Sequence, residues 1–177
     1  SVYPSGVFRY TFGDYFKRVC QLAHALKALG IGRGDRVASM ALNDHRHLEL
    51  YFGVPCSGAV LHTVNFRLPP NHLAHVINHA EDRVLFVDED LLVFAELIKD
   101  RIPGIERFVV LSHTGNLPQT GLKNVVLYDD LIRDFPEDYD FPDDLSEWDP
   151  AVMCYTSATT GDPKGVVYTH RAIVLHS

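Results

Sequence analysis

The sequence predicts an α/β domain built on a largely parallel sheet, and three observations support this prediction. Apolar residues switch repeatedly between a period of two, typical of strands, and the spacing of amphipathic helices. The resulting strands and helices alternate along most of the 177 residues, as they do in βαβ units. At least one strand, RVLFVDE at 83–89, is almost continuously apolar, which is typical of a strand buried on both faces.

The first elements are a short alternating strand, FRYTF, and a helix over residues 11–30. Thr11 is expected to cap this helix, with Asp14 in its first turn, and Gly30 is expected to end it. Apolar residues recur through the segment at helical spacing: Phe16, Val19, Cys20, Leu22, Ala23, Leu26 and Leu29.

The later elements follow in chain order. The strand DRVASMAL precedes a helical segment, RHLELYFGVPCSGA, which Pro55 is expected to interrupt. The strand VLHTVN leads to PPNHLAHVINHAE, which begins with proline as the first turn of a helix often does. Next come the strand RVLFVDE, the helix DLLVFAELIKDRI and the strands RFVVLS, NVVLY and VMCYTS. KGVVYT is predicted as a return strand, and HRAIVLHS as the start of a helix without a cap. Because the chain stops within an element, we expect it to be a piece of a longer protein.

Composition argues against several classes of protein. The formal net charge is −7, but eight acidic residues and no basic ones lie in 134–150. The rest of the chain has 15 acidic and 16 basic residues, so we interpret 134–150 as a solvated, proline-containing connector. Because there is no basic stripe, we expect no nucleic-acid binding. No stretch approaches the ~20 apolar residues of a membrane span and no signal peptide is visible, which favours a soluble, cytoplasmic protein.

Cysteines and histidines offer no strong metal site. Cys20, Cys56 and Cys154 are far apart, and we interpret them as buried, reduced thiols. His75 and His79 are four residues apart and share a helix face, which is one requirement of a metal pair. No third ligand is evident, so helix-surface histidines are the preferred interpretation.

The segment YTSATTGDPKGVVYTH, residues 155–170, carries the strongest functional signal. Gly161 and Gly165 let the backbone approach a ligand closely, Lys164 supplies a mobile positive charge, and Pro163 stiffens the chain before it. These are the features that bind nucleotide phosphates, and a hydroxyl here could also face a magnesium ion. The available hydroxyl groups are those of Thr156, Ser157, Thr159 and Thr160.

The loop is not of the Walker A type, which requires glycine directly before the lysine and a helix after it. Here Pro163 precedes Lys164 and a predicted strand follows. From composition alone, a solvent-exposed turn without chemical importance is an equally good interpretation.

The segment 155–170 resembles the phosphate-binding signature of the adenylate-forming enzymes, whose usual form is (Y/F)TSGTTGxPKGVxxTH. That superfamily includes acyl-CoA synthetases, luciferases and nonribosomal-peptide adenylation domains. The phrases VLHTVNFRL, INHAEDRVLFVD and GVVYTHRAIVLHS resemble bacterial medium- and long-chain fatty-acyl-CoA synthetases. The resemblance covers essentially the whole chain, 1–177, as the N-terminal part of the large adenylate-forming domain. The rest of that domain and the C-terminal lid domain are expected to lie beyond residue 177.

The resemblance also implies roles for the residues of the loop at 156–165. Lys164 and Thr156 are the expected catalytic residues, and Thr156 is the expected magnesium ligand. His170, after the loop, is expected to orient the following helix or to contact the ligand. The expected nucleotide-binding positions are Thr156, Ser157, Ala158, Thr159, Thr160, Gly161, Lys164 and Gly165.

One position departs from the family pattern, because Ala158 stands where the family usually has glycine. If the backbone there has a positive φ, alanine costs on the order of 1 kcal/mol and its methyl group crowds a phosphate. If φ is negative, the substitution is nearly silent. Both possibilities stay open at this stage.

The implied reaction is an ATP- and Mg²⁺-dependent ligation of a carboxylic acid to coenzyme A through an acyl-adenylate, with a medium- or long-chain fatty acid as the expected substrate. The 177 residues alone are expected to be inactive, because much of the machinery lies elsewhere. The alternatives are a ligase for an aryl or short-chain acid, a noncatalytic nucleotide-binding module, and a phosphotransferase that releases ADP. Peripheral membrane contact through other regions and homodimer formation are compatible with the resemblance.

Overall fold

A seven-stranded sheet forms the centre of the structure, a computed structural model that describes residues 1–3, 6–156 and 162–177. The strands in chain order are β1 (Val2–Tyr3), β2 (Gly6–Val7), β3 (Arg36–Met40), β4 (Val60–Thr63), β5 (Val84–Asp88), β6 (Arg107–Leu111), β7 (Val125–Leu127), β8 (Pro150–Thr156) and β9 (Lys164–Thr169). β1 and β2 form a separate antiparallel pair. The large sheet has the order β7, β6, β5, β3, β4, β8, β9 and is parallel except for β9, which runs antiparallel to β8. The predicted α/β class with a largely parallel sheet is therefore confirmed.

Helices cover both faces of this sheet. These are α1 (Phe12–Ala28), α2 (His45–Cys56), α3 (Pro70–Ala80), α4 (Leu92–Ile98) and α5 (Tyr128–Ile132). A further helix, α6 (His170–His176), follows β9 and has no buried residue. α3 and α4 pack on one face, where Leu85 and Val87 of β5 point. α1, α2 and α5 pack on the other, which receives Val84 and Phe86 of the same strand. Because alternate residues of β5 enter two separate cores, the strand is apolar along its length.

The start and end of α1 follow the sequence prediction. The Thr11 side chain accepts a hydrogen bond from the Asp14 backbone N–H, and the Asp14 carboxylate accepts one from the Thr11 backbone N–H. These reciprocal bonds form a capping box, which satisfies backbone donors that the first helical turn leaves free. Gly30, just after the helix, has a φ of +73°, a value that glycine adopts without steric cost.

Several boundaries differ from prediction. FRYTF is wrong as a strand, since residues 8–11 are irregular and the short strands β1 and β2 lie before them. Pro55 does not interrupt its helix, because it lies in the last turn of α2. Proline lacks the backbone N–H that would bond to the preceding turn, but α2 ends one residue later, so no further turn follows it. The helix predicted over 90–102 is shorter and is flanked by 3₁₀ turns at Glu89–Leu91 and Lys99–Arg101. These turns shorten it because residues at element ends take the tighter geometry easily.

Two further differences concern short helices. NVVLY continues directly into α5, a helix that was not predicted because its five residues are too few to show a helical repeat of apolar residues. The last helix, α6, was expected to lack a cap, but the Thr169 side chain accepts a hydrogen bond from the Ala172 backbone N–H. Thr169 is the last residue of β9, so the same residue ends the strand and caps the helix.

A buried carboxylate joins three of these elements. Glu49 of α2 is fully buried and accepts hydrogen bonds from Arg18 Nε at 2.7 Å, from the Tyr128 hydroxyl at 2.7 Å and from the Tyr10 hydroxyl at 3.0 Å. Arg18 also pairs with Asp129 at 2.7 Å. Because α1, α2 and α5 each contribute a member, this network fixes their relative positions on one face of the sheet.

The three cysteines are free, but the prediction that all are buried is correct only for Cys20, since Cys56 and Cys154 are half-buried. The residues between α5 and β8 form no helix or strand, and they attach to the core through ion pairs such as Arg33–Asp149 at 2.6 Å. None of the described helices combines the length and apolar character that a membrane span requires.

Candidate phosphate-binding site

The stem of the predicted phosphate-binding loop is formed by the end of β8 and the start of β9. Thr156 and Lys164 face each other in the antiparallel register, and Tyr155 faces Gly165 one position below. The Thr156 and Lys164 residues are exposed. The expected ligand-binding residues Ser157, Ala158, Thr159, Thr160 and Gly161 lie outside the described residues.

This stem lies at the edge of the sheet where a ligand site is expected. β8 is parallel to β4, so the loop leaves the carboxyl end of β8 beside the residues that follow β4. In open α/β sheets, ligands bind beyond the carboxyl ends of the strands. The Thr156 hydroxyl contacts the Lys164 carbonyl oxygen only at 3.5 Å, the outer limit of a hydrogen bond. The donor set thus suits a phosphate or a hard cation: an exposed hydroxyl with spare hydrogen-bonding capacity beside an exposed ammonium group.

A cluster of aromatic and ionisable side chains lies next to the stem, and no sequence pattern predicts it. The Tyr155 hydroxyl lies 2.6 Å from Nδ1 of His79 in α3, and the Tyr155 ring packs on the ring of His62 in β4 with 5.1 Å between centroids. His62 Nδ1 lies 2.7 Å from Oδ2 of Asp82, and both of these side chains are fully buried. Burial raises the pKa of the Asp82 carboxyl, with the bond to His62 acting in the opposite direction. Burial also raises the pKa of the Tyr155 phenol, and the nearby Asp82 charge adds to it.

The remaining histidine candidates take structural positions. His75 and His79 share a face of α3, with 5.5 Å between ring centroids. Across the ranges that the structure describes, no third histidine, cysteine or carboxylate completes a metal site with them. His170 is the first residue of α6, and its side chain lines an apolar groove with Phe52 and Phe141.

A cavity of about 510 Å³ lies at the same edge of the sheet but away from the stem, beside the residues that follow β3, β6 and β7. Its cationic side chains already have carboxylate partners: Arg18 pairs with Glu49 and Asp129, and Arg46 pairs with Asp44 at 3.1 Å. A phosphate there would have to compete with these carboxylates. The stem of the loop is therefore the better candidate for a phosphate site.

Comparison with known families shows to which family the chain belongs. The sequence profile of the family described as AMP-binding enzyme matches residues 2–176. The chain belongs to the AMP-binding enzyme family. The resemblance of 155–170 to the adenylate-forming signature is therefore confirmed at the level of the family.

Individual members of the AMP-binding enzyme family are similar to this chain over nearly all of its length. A long-chain-fatty-acid–CoA ligase of Thermus thermophilus is 42% identical over 97% of this chain and 30% of its own length. A 3-methylmercaptopropionyl-CoA ligase of Ruegeria pomeroyi is 41% identical over 89% of this chain and 29% of its own. The crystal structure of the anthranilate CoA ligase AuaEII with anthranoyl-AMP aligns with a TM-score of 0.84 at 28% identity, over 95% of this chain and 31% of that one. The chain thus spans about a third of the length of each.

Proposed function

We propose that the protein that carries this chain is an ATP-dependent acid–CoA ligase, and that its acid is a medium- or long-chain fatty acid. The observation that carries the proposal is the exposed Thr156–Lys164 stem at the carboxyl edge of the sheet, in a chain that matches the AMP-binding enzyme family from residue 2 to residue 176. Two relatives that are about 40% identical are named as CoA ligases, which supports the ligase class.

The proposed reaction has two steps. A carboxylate oxygen of the acid attacks the α-phosphorus of ATP, which forms an acyl-adenylate and releases pyrophosphate. The thiol of coenzyme A then attacks the activated carbonyl carbon, forms the thioester and releases AMP. Adenylation is required because a carboxylate is a poor acyl donor until its oxygen carries a good leaving group.

Within this reaction the described residues act on the phosphates. Lys164 places a positive charge at the start of β9, where it neutralises charge on the phosphate oxygens. Thr156 directs its hydroxyl toward the phosphates or toward Mg²⁺, which when bound supplies further charge neutralisation. Ser157, Ala158, Thr159, Thr160, Gly161 and Gly165 complete the loop in this proposal.

The fatty-acid part of the proposal rests on the long-chain ligase of Thermus thermophilus, which is 42% identical to this chain. The relative that acts on 3-methylmercaptopropionate and the structural neighbour that contains anthranoyl-AMP favour a short-chain or an aryl acid instead. An assay with a series of acids therefore decides whether the substrate is a medium- or long-chain fatty acid, a short-chain acid or an aryl acid.

The test is carboxylate-dependent ATP–pyrophosphate exchange by the full-length protein, with acids from acetate to long fatty acids and with benzoate. Exchange is expected to be fastest with medium or long chains. Lys164→Ala is expected to lower it by about a hundredfold, because one charged donor to the phosphates is lost. Lys27→Ala is the matched control, since Lys27 is an exposed lysine in the last turn of α1, which leads to the opposite edge of the sheet.

Other outcomes separate the alternatives. Fastest exchange with benzoate or acetate would replace the fatty acid but keep the ligase. Nucleotide binding without exchange would favour a noncatalytic module, and release of ADP in place of AMP would indicate a phosphotransferase. Ala158→Gly reports on the departure from the family pattern: a faster rate would mean that the alanine handicaps phosphate binding.

Further parts of the proposal concern the protein as a whole. We propose that it acts in the cytoplasm on small-molecule substrates without nucleic acid, and that residues 1–177 alone are inactive. Thioester formation by the isolated 177-residue chain would contradict the last point. Sedimentation and vesicle flotation of the full-length protein would test homodimer formation and peripheral membrane contact.

A further inference from the structure

Tyr155 is the last residue before the exposed stem, and three elements hold its ring. His79 of α3 bonds to its hydroxyl at 2.6 Å, with the two rings nearly perpendicular at 88°. His62 of β4 packs against the ring at 5.1 Å between centroids. Gly165 of β9 lies so close that an added Cβ would be 3.2 Å from Tyr155 Cζ. The ring therefore connects α3, β4 and β9 at the point where the loop departs and returns.

The surface under this ring is itself fixed. His62 is fully buried in β4 and bonds through Nδ1 to the buried carboxylate of Asp82 at 2.7 Å. Asp82 is the second residue after the end of α3, which is capped by Glu81. A buried imidazole held by a buried carboxylate has little rotational freedom, so Tyr155 packs on a rigid neighbour.

The alternation of side chains along a strand separates this support from the ligand. Tyr155 and Gly165 are paired across β8 and β9 and share one face of the sheet, the face covered by α3. Thr156 and Lys164 are the next pair, so their side chains leave from the opposite face. Contacts on one face can thus hold the backbone of the stem while the other face stays free for phosphates.

We propose that Tyr155 and His79 are positioning residues that hold the stem of the phosphate-binding loop, an inference that rests on the proposed nucleotide-binding function of that loop. Because the phenol keeps its proton, it donates to His79 Nδ1 when that imidazole is neutral. The bond ties the end of β8 to α3 before nucleotide arrives. A stem that is already ordered loses less conformational entropy when ATP binds, which strengthens binding.

The test uses the full-length protein and two readouts, the dissociation constant of ATP by calorimetry without any acid, and the KM for ATP and kcat in pyrophosphate exchange. Tyr155→Phe and His79→Ala are each expected to raise the dissociation constant and the KM about fivefold, the effect of one lost hydrogen bond, with kcat nearly unchanged. The double variant is expected to be no weaker than either single variant, because both remove the same bond. His79→Gln, whose amide can accept the phenol proton, should recover part of the loss.

His75→Ala is the matched control. His75 lies one turn earlier on the same helix, and in the described part of the chain it makes no hydrogen bond to Tyr155. It is expected to bind ATP as the wild type does.

Three results would overturn the positioning role of Tyr155 and His79. Unchanged ATP binding in Tyr155→Phe and His79→Ala, or additive effects in the double variant, would overturn the inference. A lower melting temperature with an unchanged ATP dissociation constant would do the same, because it indicates a structural role only. If the wild type binds ATP without exchange, the ligase proposal fails while the positioning role is still decided by the binding data. If the wild type binds no ATP, both fail.

Discussion

Gly53 shows how a single missing side chain sets the distance between two helices. A Cβ added to Gly53 of α2 would lie 2.5 Å from Cδ2 and 3.0 Å from Cγ of Leu22 in α1. Leu22 is fully buried in the core under these helices. Its side chain can therefore make room for a Cβ at position 53 only by displacing its neighbours in the core, which glycine at this position avoids.

We expect Gly53→Ala to destabilise the contact between α1 and α2 by about 1–3 kcal/mol, the usual cost of overpacking a core. The measurement is hydrogen exchange of peptides from both helices in increasing urea. Gly13→Ala is the control, because its added Cβ would meet only Thr11 Oγ1 at an ordinary 3.5 Å. Equal hydrogen-exchange protection in Gly53→Ala and Gly13→Ala would contradict this expectation, because it would show that α1 and α2 can move apart without loss of stability.

At the scale of single residues, hydrogen bonds between near neighbours in sequence could be predicted, whereas bonds between residues far apart in sequence could not. Thr11 and Asp14 could be assigned as a helix start because a capping box is formed within four residues. His79 and Tyr155 are 76 positions apart, so nothing in the sequence near either one indicates their bond. The same holds for His62 and Asp82, which become partners only once β4 lies beside α3.

At the scale of elements, the capping box of α1 gives a direct prediction. Thr11→Ala removes the hydroxyl that accepts the Asp14 backbone N–H at 3.1 Å and donates to the Asp14 carboxylate at 2.7 Å. We expect it to reduce the stability of the first turn of α1 by about 1 kcal/mol. Thr11→Ser keeps the hydroxyl and is expected to lose far less. Exchange rates of the first-turn amides measure both, and equal rates in the two variants would contradict a capping role.

The longer helices and strands could be predicted from the periodicity of their apolar residues, whereas short or terminal elements could not. β5 is buried throughout and β6 is buried from Phe108 to Leu111, so their apolar patterns are unambiguous. α5 has five residues, which is less than one and a half helical turns, and therefore shows no repeating pattern. FRYTF alternates like a strand, but Phe8 and Tyr10 pack instead on His45 of α2, with 4.0 Å and 5.6 Å between ring centroids.

At the scale of the whole molecule, the functional loop was recognisable because its residues are contiguous in sequence. Two of the elements that support it, α3 and β4, are distant from it in sequence, and only the folded sheet places them beside Tyr155. The Glu49 network has the same character, since Arg18, Glu49 and Tyr128 are brought together by packing of α1, α2 and α5. Its contribution to stability can be tested through pH.

Burial raises the pKa of the Glu49 carboxyl, while the bonds from Arg18, Tyr128 and Tyr10 act in the opposite direction. Arg18→Ala removes the charged partner and leaves a buried carboxylate, so the pKa of Glu49 should rise further. A carboxyl whose pKa is higher in the folded than in the unfolded state favours folding at low pH, and this contribution is lost as pH rises through the folded pKa. The penalty of Arg18→Ala should therefore be largest at neutral pH and shrink on acidification.

We expect Arg18→Ala to destabilise the α1–α2–α5 face by about 3 kcal/mol at pH 7.5, because one member of a buried pair is left uncompensated. The difference from wild type should narrow toward pH 5.5, where the folded state of the variant can take up a proton at Glu49. The double variant Arg18→Ala with Glu49→Gln has no carboxyl at position 49. Its loss of stability relative to wild type should therefore be smaller and should not change between pH 7.5 and pH 5.5. The measurement is hydrogen exchange of α1 and α2 peptides in urea at each pH, corrected for intrinsic exchange rates. If the Arg18→Ala deficit were constant with pH, the lost packing of the arginine side chain would account for it, and the charge on Glu49 would not.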